Sequence, residues 1–289
     1  MGVSNVCARD IAILVSVMVK LIRAVLLAGW IAAVASTTIF TQSKRLSAAA
    51  NPLVREEQTI IIDGRSEIWR LEWESPPKPA CGLEDPASSL TCPCIGFAYG
   101  ESGQLDLARV VKGREIDRLR LAPLFEKMFA DQGGVLLQRW AVQDADLQDF
   151  DNESFAATVP ARPVVTIMRF ADYNHDGQAT EFFLQTGVEP CGKITGIVIG
   201  VTADNPKLHA FVSTANPGKP LYLQKPEWEV LLKTTGPVQV LDWPCGDHGS
   251  ENEKDVELSV TKSGIRAVRK TFECTETGKR GHLLEEKPF

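Results

Sequence analysis

A chain of 289 residues, 44% hydrophobic and 24% charged, can bury one large core or two small ones. Its net charge of −6 and pI near 5.4 leave no basic footprint for nucleic acid or for an anionic membrane surface.

The N-terminus reads as a targeting segment. From Met18 the sequence is MVKLIRAVLLAGWIAAVAS, with Lys20 and Arg23 as a basic n-region, an apolar run over 24–32 and an A-x-A cleavage signal at Ala33-Val34-Ala35. Residues 1–35 are therefore expected to be a signal peptide, and the mature chain to be secreted or periplasmic. The alternative is an uncleaved anchor, since no charge interrupts residues 24–42 and that length spans a bilayer. Only in that case is a membrane a partner. No lipobox cysteine follows the apolar run.

Cleavage after Ala35 removes Arg9, Asp10, Lys20, Arg23 and Cys7, which moves the charge from −6 to −8. Six cysteines remain: Cys81, Cys92, Cys94, Cys191, Cys245 and Cys274. An even number in an exported chain predicts disulfides. Six cysteines permit roughly 15 pairings, and composition does not choose among them. Cys245 with Cys274 is the favoured pair, because the two flank a predicted hairpin.

Residues 36–56 form a polar segment. TIIIDGRSEIWRLEW (59–73) then predicts two strands joined at Asp63-Gly64. SPPKPACGLEDPASSLTCPC (75–94) is a Pro-, Gly- and Cys-rich stretch, read as an ordered loop tied down by disulfides. Strands are expected in 97–113 and 133–142, with a mixed segment and a short helix near Pro123 between them. DADLQDFDNES (144–154) reads as a solvated acidic loop. Further β-like runs follow at 164–170, 181–187, 192–201 and 208–214. KPEWEVLLKTTG (225–236) is the clearest helix, with Pro226 in its first turn and Gly236 at its end. A strand at 237–243 and a hairpin over 255–274, turned at 262–264, complete the pattern, and 277–289 reads as a polar, frayed tail.

Turns about every ten residues favour antiparallel pairing over βαβ crossovers. The expected fold is mainly β, a β-rich α+β arrangement of antiparallel strands with two or three short helices, stapled by disulfides. One domain is expected over 57–276, with a possible subdomain boundary near residue 160.

FADYNHDGQATEFFL (170–184) carries the most specific chemistry. Asp172, Asn174 and Asp176 alternate, and Gly177 follows. Oxygen side chains at offsets 1, 3 and 5 of a tight loop can face one centre; glycine at offset 6 permits the bend, and the carbonyl at offset 7, from Gln178, turns inward. Calcium takes six to eight hard oxygen ligands in irregular geometry, and suits such a loop better than magnesium. An EF-hand needs a glutamate at offset 12, where this chain has Phe183. The stretch VVTIMRFADYNHDGQATEFFLQTG resembles the calcium loop of integrin-type FG-GAP repeats, in which a D-x-[DN]-x-D-G-x-x-D loop joins two strands. That resemblance implies Asp172, Asn174 and Asp176 as side-chain ligands and Gln178 as a carbonyl ligand. At offset 9 the family has an acid and this chain has Thr180, with Glu181 one residue later. Either the loop is bulged by one residue so that Glu181 enters, or Glu181 points away and Thr180 supplies a weaker oxygen. The motif occurs once, so the resemblance extends to the loop and not to a propeller. The competing reading is a polar turn in which Asp and Asn hydrogen-bond their own backbone.

Other motifs are weaker. Cys245 and His248, with Cys274, Cys92 or Cys94, offer zinc-type ligands without a C-x-x-C pair. Asp247 and His248 are a candidate acid–base pair, needing a turn to face one way. GESGQ (100–104) lacks the last glycine of a nucleophile elbow. His209, in an apolar run, reads as a packed core residue. The functional expectation is a non-catalytic module that binds an extracellular protein or carbohydrate, or an envelope-associated protein. The alternative is a secreted hydrolase drawing on Asp247, His248 or the acids of 144–153.

Overall fold

The Asp63-Gly64 turn closes the first hairpin, between β1 (Leu53–Ile62) and β2 (Arg65–Trp73), with Ile62 opposite Arg65. Both turn residues have positive φ, 49° and 74°, the left-handed region where Asp and Gly are favoured. The structure, a computed structural model, describes residues 53–82, 90–91, 94–125, 134–148, 157–189, 192–261 and 264–289, without the side chain of His248. The described residues belong to one compact unit. The expected signal peptide and A-x-A site lie outside the described residues.

Antiparallel strands dominate, as expected. β2 pairs with β5 (Leu105–Val111), and β5 with β6 (Arg114–Arg120), giving a sheet in the order β1-β2-β5-β6. A second sheet is built on β9 (Lys193–Gly200), which pairs along its length with β8 (Glu181–Glu189) and, in shorter stretches, with β10 (His209–Ala210) and β13 (Leu223–Gln224). The third sheet runs β12-β11-β16-β15-β14, from β11 (Val212–Ser213), β12 (Asn216–Pro220), β14 (Val238–Trp243), β15 (Asn252–Thr261) and β16 (Gly264–Cys274). A small sheet contains β3 (Lys78–Ala80), β4 (Gly100–Gly103) and β7 (Val135–Gln138). One bridge, Ser213 with Ile265, is parallel. Two α-helices are described, α1 (Asp144–Gln148) and α2 (Lys225–Lys233).

The second sheet is the middle layer of the molecule. On one side Phe182, Leu184, Ile197 and Ile199 share a core with Trp69, Leu71, Leu105 and Leu107 of the first sheet. On the other, Val198 packs with Trp228 and Leu231 of α2 and with Val256, Leu258, Ile265 and Ala267 of the third sheet. Burial on both faces explains why β9 reads ITGIVIG with no polar alternation. α2 starts on a capping box, Gln224 with Glu227, and its Trp228 donates to the Gly196 carbonyl at 3.0 Å.

Four expectations need correction. Segment 164–170 is not a strand: it makes one bridge, Val164 with Trp140, and its backbone is taken up by β1 side chains instead. Arg55 donates to the Val165 carbonyl at 2.9 Å, while Ile167 and Met168 N–H donate to Glu56 at 2.7 and 3.0 Å. The mixed segment holds the strand β6, which is almost free of buried side chains and relies on its ladder and on Arg118, 2.6 Å from Glu72 and 3.0 Å from Asp106. The tail is paired: β17 (Arg280–Pro288) adds to β16. His209 is half-buried, bonded to the Lys207 carbonyl and stacked on Phe211, rather than in the core.

Disulfides join Cys81 to Cys94 and Cys245 to Cys274, the second as expected. Cys92 and Cys191 lie outside the described residues. Among the described residues no helix is long and apolar enough to cross a membrane.

Candidate functional site

A two-sided bridge between Ala171 and Glu181 closes the neck of the DYNHDG loop, with N–H···O distances of 2.7 and 3.3 Å. Inside it, Asp172 accepts from the N–H groups of Asp176 (3.1 Å) and Gly177 (2.9 Å). Asn174 accepts from Asp176 N–H at 3.0 Å and donates to the Asp176 carboxylate at 2.9 Å. Asp176 in turn accepts from Gln178 N–H at 2.9 Å. The Gln178 carbonyl accepts from Thr180 N–H, and its side chain reaches Asp63 at the tip of the first hairpin. His175 and Gly177 adopt positive φ, 57° and 89°, which makes the bend.

Glu181 decides between the two arrangements left open at offset 9. Its side chain turns back into the loop, where one oxygen accepts from Tyr173 N–H at 3.0 Å, and the residue is fully buried. Gly200 makes this possible, since a Cβ there would lie 2.7 Å from Glu181 Cγ and 2.5 Å from the Thr180 carbonyl. Thr180 instead directs its hydroxyl to the Val201 carbonyl at 3.0 Å, with Glu181 Oε1 2.8 Å away. Burial foremost, and then the charges of Asp176 and Asp172, push the Glu181 carboxyl up from 4.5 to about 8; the Thr180 and Tyr173 hydrogen bonds oppose the rise.

The five expected ligands, Asp172, Asn174, Asp176, Gln178 and Glu181, thus belong to one loop, and all offer hard oxygens. Their side-chain oxygens rest on backbone amides. Among the described residues no three His, Cys, Asp or Glu groups are drawn together as a metal cage. A carboxylate or amide oxygen that accepts one N–H keeps a second lone pair, so these bonds do not exhaust the donors.

The other candidates are placed elsewhere. Asp247 pairs with Lys193 at 3.0 Å, and Lys193 lies 3.4 Å from the Trp243 ring centroid. The acidic run begins as α1, and its Asp146 is fully buried, holding Arg162 through two bonds of 2.7 Å. This Asp146 is a structural ion-pair partner rather than part of a solvated loop. Cys245 and Cys274 are bonded to each other, which removes them as zinc ligands.

Two features escaped the sequence reading. One is a buried carboxyl group at the start of α2: Glu227 accepts from Gln224 N–H at 2.7 Å, and Gln224 also donates to Asp242 (2.6 Å) and Glu189 (3.2 Å). Burial first and then Asp242 raise Glu227 from 4.5 to about 7; burial also raises Asp242. The other is a cleft of about 290 Å³ lined by Pro77, Lys78, Pro79, Tyr99, Arg139 and Trp140, with Gly82, Gly100 and Glu101. Its residues come from three separated segments, so no local spacing marks it. Against known proteins, the chain matches no family model, no curated protein and no solved structure.

Proposed function

We propose that the protein works outside the cytoplasm as a non-catalytic binding module, with a calcium ion in the 172–181 loop serving stability. The observation that carries the calcium reading is the Glu181 carboxyl, buried completely within the field of Asp172 and Asp176. Three acids in one closed loop oppose one another unless a proton or a cation intervenes. The side-chain oxygens of Asp172, Asn174, Asp176 and Glu181 and the Gln178 carbonyl would hold the ion, whose contribution is charge compensation. The loop joins the first hairpin, β8 and α2 through Gln178, Glu181 and His175, so ordering it ties three elements together.

Export is supported by the n-region, the apolar run and the A-x-A at 33–35, together with the two disulfides. The binding role is supported by the cleft, whose described lining includes Pro77, Pro79, Tyr99 and Trp140. Calorimetric titration with calcium of chelator-treated protein tests the metal, with Glu181→Gln as control. Saturable binding that weakens in the variant is expected, and absence of binding at millimolar calcium removes the metal from the reading.

A further inference from the structure

We propose that the cleft beside Tyr99 binds a small organic carboxylate with a flat apolar body, of the kind an aromatic acid or an aromatic peptide C-terminus presents. This rests on the binding-module reading and not on the calcium loop.

The charge pattern comes first. Glu101 is held by two arginines, Arg55 Nε and Arg139 Nη1, both at 2.5 Å. Arg55 is 5% exposed and also pairs with Glu56 at 3.8 Å, whereas Arg139 lines the cleft with its side chain 39% exposed and bonds Glu101 through Nη1. Lys78, exposed at the rim, adds a second positive charge. The described lining thus holds two cationic side chains against the one carboxylate of Glu101. The two charges suit one anionic group; they repel cations and are too few to track a polyanion backbone.

Geometry narrows the class. The Arg139 guanidinium lies 5.0 Å from the Trp140 ring centroid, so its plane is oriented before any ligand arrives. A planar guanidinium is suited to paired hydrogen bonds with a carboxylate. Around it Pro77, Pro79 and Trp140 supply apolar walls, with Tyr99 behind them. A volume near 290 Å³ holds a single ring and a short acid arm.

The wall is also strained. Tyr99 has φ of +56°, held by its N–H on the Cys81 carbonyl at 2.8 Å, while its own carbonyl accepts from Arg139 N–H at 3.2 Å. Cys81 shares the left-handed conformation, at φ +49°, and is bonded to Cys94. Two adjacent non-glycine residues of this kind cluster at ligand clamps more than in ordinary loops. The Cys81–Cys94 disulfide and the Arg139 backbone bond fix the cleft wall in that shape.

Calorimetric titration of the exported protein with 3-phenylpropionate and with its amide tests the proposal, run both in calcium and in chelator. Saturable binding of the acid, with the amide weaker by about tenfold or more, is expected; tenfold corresponds to about 1.4 kcal/mol. Lys78→Glu, an exposed change that leaves the melting temperature in place, should weaken the acid by a similar factor, and Arg139→Gln more. N-acetylated Ala-Ala-Phe, as free acid and as amide, separates the sources. Tighter binding of the peptide acid than of phenylpropionate assigns a protein terminus; weaker binding assigns a free small acid. No saturation by either acid, equal binding of the amides, or indifference to Lys78→Glu overturns the proposal. Retention of acid binding in chelator, with no calcium heat, would remove the calcium reading and leave this one standing.

Discussion

His175 Nε2 lies 2.8 Å from the Leu231 carbonyl, so the left-handed corner of the acidic loop caps the last turn of α2. The Leu231 carbonyl also accepts from Thr234 N–H at 3.3 Å, and the imidazole supplies a second partner. His175→Ala removes that bond and leaves the bend in place. A loss of about 1 kcal/mol is expected, read by denaturant melts at fixed calcium. An unchanged midpoint would mean that water caps Leu231 equally well.

Calcium should raise the melting temperature. A ligand confined to the folded state at a hundredfold excess over Kd adds about 2.7 kcal/mol. For a chain of this size that corresponds to roughly 5–10 °C. Asp176→Ala should abolish the rise, since it removes a ligand and one of the charges acting on Glu181. If chelator and millimolar calcium give the same melting curve, the loop is a polar turn.

Stability should fall as pH rises from about 5 to about 7.5. Glu227 has a folded pKa near 7 against 4.5 for the free side chain. Below 4.5 it is protonated in both states and costs nothing. Between the two values the unfolded chain releases its proton and the folded chain does not, which favours unfolding progressively. Above 7 the penalty is constant, about 3 kcal/mol at most. Glu227→Gln keeps an acceptor for Gln224 N–H, so the variant should show a flatter profile across this window. An unchanged slope would sink the assignment.

Reduction should be costly. Cys245–Cys274 closes a loop of 29 residues, for which chain entropy gives about 3–4 kcal/mol. Cys245→Ser with Cys274→Ser is expected to lose most of that in a denaturant titration.

What the sequence determined by itself is what short-range physics controls. Asp63-Gly64 prescribes positive φ and hence a hairpin; Pro226 marks the start of α2. Alternate Asp172, Asn174 and Asp176 before Gly177 bend one loop upon its own amides. The Cys245–Cys274 pairing was legible because one hairpin brings both ends together. Tertiary structure decided the rest, where partners lie far apart in the chain. β6 and β17 have little apolar alternation and exist because a neighbouring strand offers an edge. Segment 164–170 has the composition of a strand but is denied a ladder, because Arg55 and Glu56, more than a hundred residues earlier, occupy its backbone groups. Glu181 became a buried acid only because Gly200 lets β9 approach it. The cleft needed segments 77–82, 99–101 and 139–140 side by side, which brings Lys78 and Arg139 into one lining with Glu101. Each of these turns on contacts between distant residues, which no local spacing encodes.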